Sequence, residues 1–353
     1  MSGEHRGQMK RAKISQSLLI VVTVLGLLWA CGPKRMALFD QDVELAAAPL
    51  SKNIDREPLT GHLADACSAI ERGDQLGARS HLQAHLRRQP RSAMAHYELA
   101  LLAIDSKRWA DARWHLQSAS KLQARFYGAM SNLGVLFLQT REEIAAIKTL
   151  QSALAVAPNN ALIVNNLANA WLLRGRINDA VTSYRRARTQ SPDHATMLYN
   201  HALALLEVHE GPQALQLLEQ ALSVRPGFAL ARALRVAALH EMGRFAKAEQ
   251  AARRDLELIK ATSDNHVVLG RVLIARGQIR QGVVELEKAH QLAPTNGPAL
   301  FALAETYDAK HANKRAARLY RAYLKLQSRR FEQSRQARRR LKRLGTIRKS
   351  GGT

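Results

Sequence analysis

Three asparagines recur at a spacing of thirty-four residues, Asn132, Asn166 and Asn200, and Asn165 and Asn169 stand beside the middle one. A side-chain amide offers an acceptor and two donors, so a row of amides can hold the backbone of an extended peptide without reading its side chains. One position earlier in the same spacing come Tyr97, Tyr199 and Phe301, which offer apolar anchors for a bound segment. The plainer reading makes the asparagines part of the scaffold. A second cluster is His62, Asp65 and His85, with His81 one turn before His85. Two histidines and a carboxylate could ligate zinc. A terminal element with one wetted face accounts for them without a metal, and neither a metal nor a cofactor is expected.

Catalytic motifs are missing. The chain has no phosphate-cradling G-x-x-x-x-G-K-[ST], no H-E-x-x-H, no nucleophile elbow and no dinucleotide glycine fingerprint, and "HEMGR" at His240 lacks its second histidine. The sequence therefore predicts a binding protein rather than an enzyme, with a protein partner and no small-molecule substrate.

The elements that position these residues are helical. Aromatics make up 5% of the 353 residues while alanine and leucine abound, and Pro and Gly occur as isolated punctuation. An apolar fraction of 46% excludes a disordered chain. The formal net charge of +24 suits an acidic partner, a nucleic acid or an anionic membrane surface.

The chain opens with the basic stretch "MSGEHRGQMKRAK" and continues into an apolar run from Leu18 to Ala30. That run falls short of the roughly 20 residues that span a bilayer and matches the core of a signal peptide, so residues 1–30 are set apart from the fold. Leu28, Trp29, Ala30 and Cys31 resemble the lipobox of bacterial lipoproteins, with Trp29 departing from the usual small or modest apolar residue. The resemblance implies cleavage before Cys31, lipid on its thiol and amino group, and a lipid-anchored linker over 31–58. An uncleaved membrane anchor is the alternative. Either way Arg6, Lys10, Arg11 and Lys13 hold the N-terminus inside and place the rest of the chain beyond the cytoplasmic membrane, so nucleic acid is not expected as a partner. Gly32 and Pro33, rather than an aspartate, follow Cys31. By the sorting rule of such lipoproteins this favours the outer membrane, facing the periplasm, over the periplasmic side of the inner membrane.

Written in lines of thirty-four, the chain aligns with itself without a gap in eight lines starting at Leu59, Ala93, Tyr127, Ala161, Ala195, Ala229, Ser263 and Gly297 and ending at Arg330. Column twenty holds Ala78, Ala112, Ala146, Ala180, Ala214, Ala248, Gly282 and Ala316. Column eight is almost as small, column twenty-four is mostly Leu or Tyr, and Pro90, Pro158, Pro192, Pro226 and Pro294 share column thirty-two. This pattern resembles the tetratricopeptide repeat. The resemblance implies an all-α solenoid, a right-handed superhelix of antiparallel helix pairs over 59–330. Its inner groove, lined by the first helix of each pair, would bind a peptide or protein segment. Small columns let two helices approach closely, and no repeat buries its face alone. Members that grip a C-terminal carboxylate use a lysine at column five. Here that column reads Leu63, Tyr97, Ser131, Asn165, Tyr199, Ala233, Val267 and Phe301, which argues against that ligand.

Two further features follow from the frame. In the sixth repeat Arg232, Arg235 and Asp255 stand at core columns, and a buried ion pair is expected, because a lone charge there would cost several kcal/mol, roughly. After Arg330 a basic cap helix and flexible tail over 331–353 place Phe331, Ala337, Leu341 and Leu344 near one face. Arg338, Arg339, Arg340, Lys342 and Arg343 lie on the same segment. Lipobox and repeats together resemble the pilotins of type IV pili and the lipoproteins of tight-adherence pilus assembly. This implies a scaffold or assembly factor of the cell envelope. The alternative is an inner-membrane-anchored protein that supports polysaccharide export or cell-wall synthesis by recruiting an enzyme.

Overall fold

The computed structural model describes residues 61–258, 262–326 and 332–350. The leader 1–30, Cys31, the linker 31–58 and Phe331 lie outside the described residues. Among those described are seventeen helices and no strand. They form eight consecutive pairs: α1 (His62–Glu71) with α2 (Gln75–Arg88), α3 (Ala93–Asp105) with α4 (Trp109–Leu122), α5 (Tyr127–Gln139) with α6 (Glu143–Val156), and α7 (Ala161–Leu173) with α8 (Ile177–Gln190). The series continues with α9 (Ala195–Glu207) and α10 (Gly211–Val224), α11 (Ala229–Glu241) and α12 (Phe245–Leu258), α13 (Ser263–Ala275) and α14 (Ile279–Leu292), and α15 (Gly297–Ala309) and α16 (Asn313–Leu326). A last helix, α17 (Glu332–Ser350), follows. The helices gather into two compact units, the first ending at Ala204 and the second beginning at Leu205.

In the seven pairs that lie within one unit, column twenty is where the two helices meet. Ala78, Ala112, Ala146, Ala180, Ala214, Ala248 and Ala316 are fully buried. The seventh pair shows why these positions must be small. A Cβ on Gly270 of α13 would lie 2.9 Å from the carbonyl oxygen of Gly282 on α14, and one on Gly282 would lie 2.7 Å from that of Gly270. Backbone cannot give way there as a flexible side chain could. Bulk is supplied beside the close contact by Leu82, Leu116, Leu150, Tyr184, Leu218, Leu286 and Tyr320, all buried.

The helix ends follow from local chemistry. α2, α6, α8, α10 and α14 each stop two residues before a proline of column thirty-two, which restricts the residue ahead of it and cannot continue the ladder. Side chains cap several starts: Asp74 Oδ1 accepts from the Gly77 amide at 2.8 Å, Ser92 Oγ from Ala95 at 3.1 Å, and Asn296 Oδ1 from Ala299 at 2.9 Å. Every connection within a pair turns through one left-handed residue at column fifteen. Gly73, Gly175, Gly243 and Gly277 fill four of these places, and Lys107, Arg141, His209 and His311 fill the others at φ 55, 65, 62 and 57°. Only glycine adopts this conformation without a steric penalty.

The expected ion pair is present in the second unit. Asp255 on α12 is buried between Arg232 and Arg235 of α11; Arg232 donates to Asp255 Oδ1, and Arg235 Nη2 reaches the same oxygen at 3.1 Å. The segment after α16 is a packed helix. Ala337 and Leu344 of α17 are buried against the cluster that includes Phe301, Tyr320 and Tyr323, and Leu341 is packed beside them. Arg340 reaches Asp308 of α15 at 3.4 Å.

Candidate functional site

The asparagine row lies within the first unit and faces inward. Asn132, Asn165, Asn166, Asn169 and Asn200 are all buried. Their amides bond from repeat to repeat rather than standing open: Asn132 Nδ2 donates to the Tyr97 hydroxyl at 3.1 Å and Asn200 Nδ2 to Asn165 Oδ1 at 3.3 Å. Asn165 Nδ2 lies 3.5 Å from Asn166 Oδ1, and the Tyr184 hydroxyl donates to Asn169 Oδ1. Of the two readings of these amides, peptide grip and scaffold, burial and the bonds of Asn132 and Asn200 to the preceding repeat accord with a scaffold role. Asn132 Oδ1, Asn166 Nδ2 and Ser131 Oγ have no hydrogen-bond partner among the described residues. An unsatisfied buried polar atom of this kind costs about 1–3 kcal/mol.

Glu98 belongs to the same row. It occupies column six one repeat before Asn132 and is buried on α3, and burial pushes its carboxyl up from 4.5 to about 7. Nearby, His96 of α3 and His115 of α4 bring their Nδ1 atoms to 3.0 Å, so one must carry the proton that the other accepts. Burial lowers both, and His115, further depressed by His96, falls to about 4. His201, at a column normally given to leucine, is buried and stacks on Tyr184 with ring centroids 6.0 Å apart. Burial, then Arg188 and Arg185, lower its imidazole to about 4. Sequence reasoning passed over Glu98 and these histidines, although column six was already marked by its three asparagines.

The aromatic candidates are core residues. Tyr97 packs on Phe126 with centroids 4.8 Å apart, and Tyr199 is buried. In the second unit Phe301 sits against Tyr320 and Tyr323 at 5.9 and 5.1 Å. None of the three projects as an open anchor, because all three are buried.

The second unit does hold a cavity, of about 360 Å³. Ile274, Ala275, Ile279, Ala302 and Ala309 supply apolar walls, and His240, Arg271, Glu305 and Lys310 supply polar ones. Most of these residues come from the last two turns of α11, α13 and α15, the first helices of three successive pairs. Arg271 Nη2 lies 3.3 Å from Glu305 Oε2, and Gln336 donates to Glu305 Oε1 at 3.3 Å. Burial raises the Glu305 carboxyl against the pull of Arg271 and Arg340. A recess of this size and lining has room for an apolar side chain beside charged groups.

At the start of the first unit the structure groups His62 and Asp65 of α1 with His81 of α2, rather than with the buried His85. Both His62 Nδ1 and His81 Nδ1 lie 3.8 Å from Asp65 Oδ2, and the three ligand atoms fall within 4.8 Å of one another. The trio can pair a protonated imidazole with the carboxylate or take a divalent cation. Cys67, half-buried on α1, has its thiol pushed up by burial and by Glu98 and Glu71, which disfavours the reactive thiolate. No described helix is long and apolar enough to cross a membrane. The lipidation candidate Cys31 lies outside the described residues.

The tetratricopeptide repeat profile matches residues 63–125 and 132–195. No curated protein matches the chain. Among solved structures, a tetratricopeptide repeat protein from Parabacteroides merdae superimposes with a TM-score of 0.61 at 17% identity, covering 72% of this chain and 98% of that one. The pilF protein of Pseudomonas aeruginosa gives a TM-score of 0.50 at 18% identity, covering 57% of this chain and 92% of that one. The profile over residues 63–125 and 132–195, the superimposed structures and the thirty-four-residue frame agree on the fold: the described residues have the all-α fold that tetratricopeptide repeats build.

Proposed function

We propose that this protein is a binding scaffold of the bacterial cell envelope that holds a segment of a partner protein and brings it into a larger assembly. The carrying observation is the cavity of the second unit, built by equivalent turns of α11, α13 and α15, with apolar walls and charges at Arg271, Glu305 and Lys310. It suits one apolar side chain of an extended or helical segment with an acidic neighbour. The envelope location is supported by the basic leader, the apolar run and the lipobox-like Leu28 to Cys31, with the outer membrane favoured by Gly32 and Pro33. A pilotin-like role in assembling an outer-membrane machine is the specific form of this reading. Recruitment of an envelope enzyme from an inner-membrane anchor is its competitor.

The test places a photocrosslinking residue at the exposed Ala275 and identifies the envelope protein it captures in the native host. Filling the recess with Ala309→Trp should abolish that crosslink while helicity stays unchanged. Undiminished capture by the filled variant would remove the cavity from the function. Palmitate-analogue labelling of the native chain and of Cys31→Ser tests the anchor separately, and equal labelling of both would exclude lipidation at Cys31.

A further inference from the structure

The charge of this protein is unevenly placed. α16 and α17, thirty-three residues together, carry thirteen lysines and arginines against a single acid, Glu332, and so account for half of the net charge of +24. On α16 the spacing is regular. Lys314, Arg318, Arg321 and Lys325 fall at i, i+4, i+7 and i+11, which aligns them along one helix face over about 16 Å. All four are exposed, while Ala316, Tyr320 and Tyr323 on the opposite face are buried.

Like charges at this spacing disfavour a helix, and α12 and α14 offset the penalty by mixing signs. α14 sets Glu285 and Glu287 among Arg280 and Lys288, and α12 sets Glu249, Asp255 and Glu257 among its cations. α16 has no acid, and none of its four aligned cations pairs with a carboxylate among the described residues. Its fifth cation, Arg315, instead lies over the Tyr307 ring and 3.8 Å from Glu287. α17 is held to the same body through Arg340 on Asp308 and the buried Ala337 and Leu344, and it adds the exposed Arg339 and Lys342.

We propose that this cationic face docks on the phosphate headgroups of an anionic lipid bilayer, as a membrane contact independent of Cys31. A bilayer offers a sheet of phosphates without shape, and that is what the face can use: it carries charge but no aromatic side chain. Both tyrosines of α16 that could stack on bases or anchor a protein interface are turned into the core. A lipid surface is therefore favoured over single-stranded nucleic acid or an acidic protein.

The experiment compares full-length protein bearing Cys31→Ser with the same chain also carrying Lys314→Gln, Arg318→Gln, Arg321→Gln and Lys325→Gln. Binding is measured by co-flotation with vesicles of pure phosphatidylcholine and with vesicles containing phosphatidylglycerol. The apolar leader is common to both chains, so binding to neutral vesicles should be equal. Binding to the anionic vesicles should fall at least about tenfold in the glutamine variant and should weaken steeply with salt. A second variant, Arg318→Lys with Arg321→Lys, should bind as the parent does, and free inorganic phosphate at millimolar concentration should not compete. Equal binding of the glutamine variant to anionic vesicles would overturn the proposal. So would tighter binding to a single-stranded RNA or a polyglutamate peptide than to the vesicles, or displacement by free phosphate.

Discussion

Asn200 on α9 gives its side-chain amide to Asn165 Oδ1 on α7, one repeat earlier, at 3.3 Å and away from solvent. The bond ties adjacent first helices together through side chains alone. Replacing Asn165 with alanine leaves that amide buried without an acceptor, which costs about 1–3 kcal/mol. Thermal unfolding of Asn165→Ala should show the loss, and Asn165→Ala with Asn200→Leu should recover part of it. Unchanged stability in the single variant would return Asn165 to a ligand-facing role.

Glu98 sets a pH dependence of one sign. The folded chain keeps its proton up to about pH 7, whereas the unfolded chain releases it near 4.5. Stability is therefore full below 4.5, declines through the interval and levels off above 7. The shift corresponds to roughly 3 kcal/mol. Glu98→Gln should raise the denaturation midpoint at pH 8 and leave it nearly unchanged at pH 4. A gain that is the same at both values would show that the carboxyl titrates normally.

The paired imidazoles of His96 and His115 act in the opposite direction. Both are lowered from 6.5 in the folded chain, so acidification below that value protonates the unfolded chain first and withdraws stability as the pH falls toward about 4. Replacing both with leucine should shift the acid unfolding transition to lower pH. An unmoved transition would place the acid sensitivity elsewhere, with the buried His201 next in order.

Asp255 pairs with two arginines at once. Asp255→Ala removes the only carboxylate paired with them among the described residues, leaving Arg232 its bonds to the Pro226 carbonyl, and should cost about 3 kcal/mol in chemical denaturation. Changing all three to the apolar residues of the other repeats, Arg232→Leu, Arg235→Leu and Asp255→Ala, should cost far less. A triple variant as unstable as the single one would show that the ion pair does more than satisfy its own charges.

Arg141 holds a left-handed turn without the freedom of glycine, at φ 65°. Arg141→Gly should raise stability by about 1 kcal/mol, as measured by the urea midpoint. The same change at the neighbouring Glu142, which accepts from Arg113 at 2.7 Å, should lower it.

The thirty-four-residue frame made the helix pairs, their close contacts and the Arg232, Arg235 and Asp255 cluster legible before any coordinates, because column identity decides what meets within a pair. It did not reveal which side of the first helix the next repeat would cover, and so it left Asn132, Asn166 and Asn200 between a ligand-gripping and a scaffold reading, where the structure shows them buried. The turn geometry was visible but unread: Gly73, Gly175, Gly243 and Gly277 share column fifteen, and that alone marks the four non-glycine residues there as strained. The cavity beside Arg271 and Glu305 arises where small residues on two successive first helices coincide, Ala275 on α13 with Ala302 and Ala309 on α15, and no single-repeat pattern encodes it.

Three residues link the helices within every described pair and four lead to the next. A chain jointed so uniformly behaves as a row of interchangeable modules. Removing thirty-four residues from the interior of either unit would bring together ends already shaped for each other, whereas removing thirty would rotate every later side chain out of register. Length in such a molecule is therefore counted in whole modules, and its reach toward a partner can be changed only in those steps.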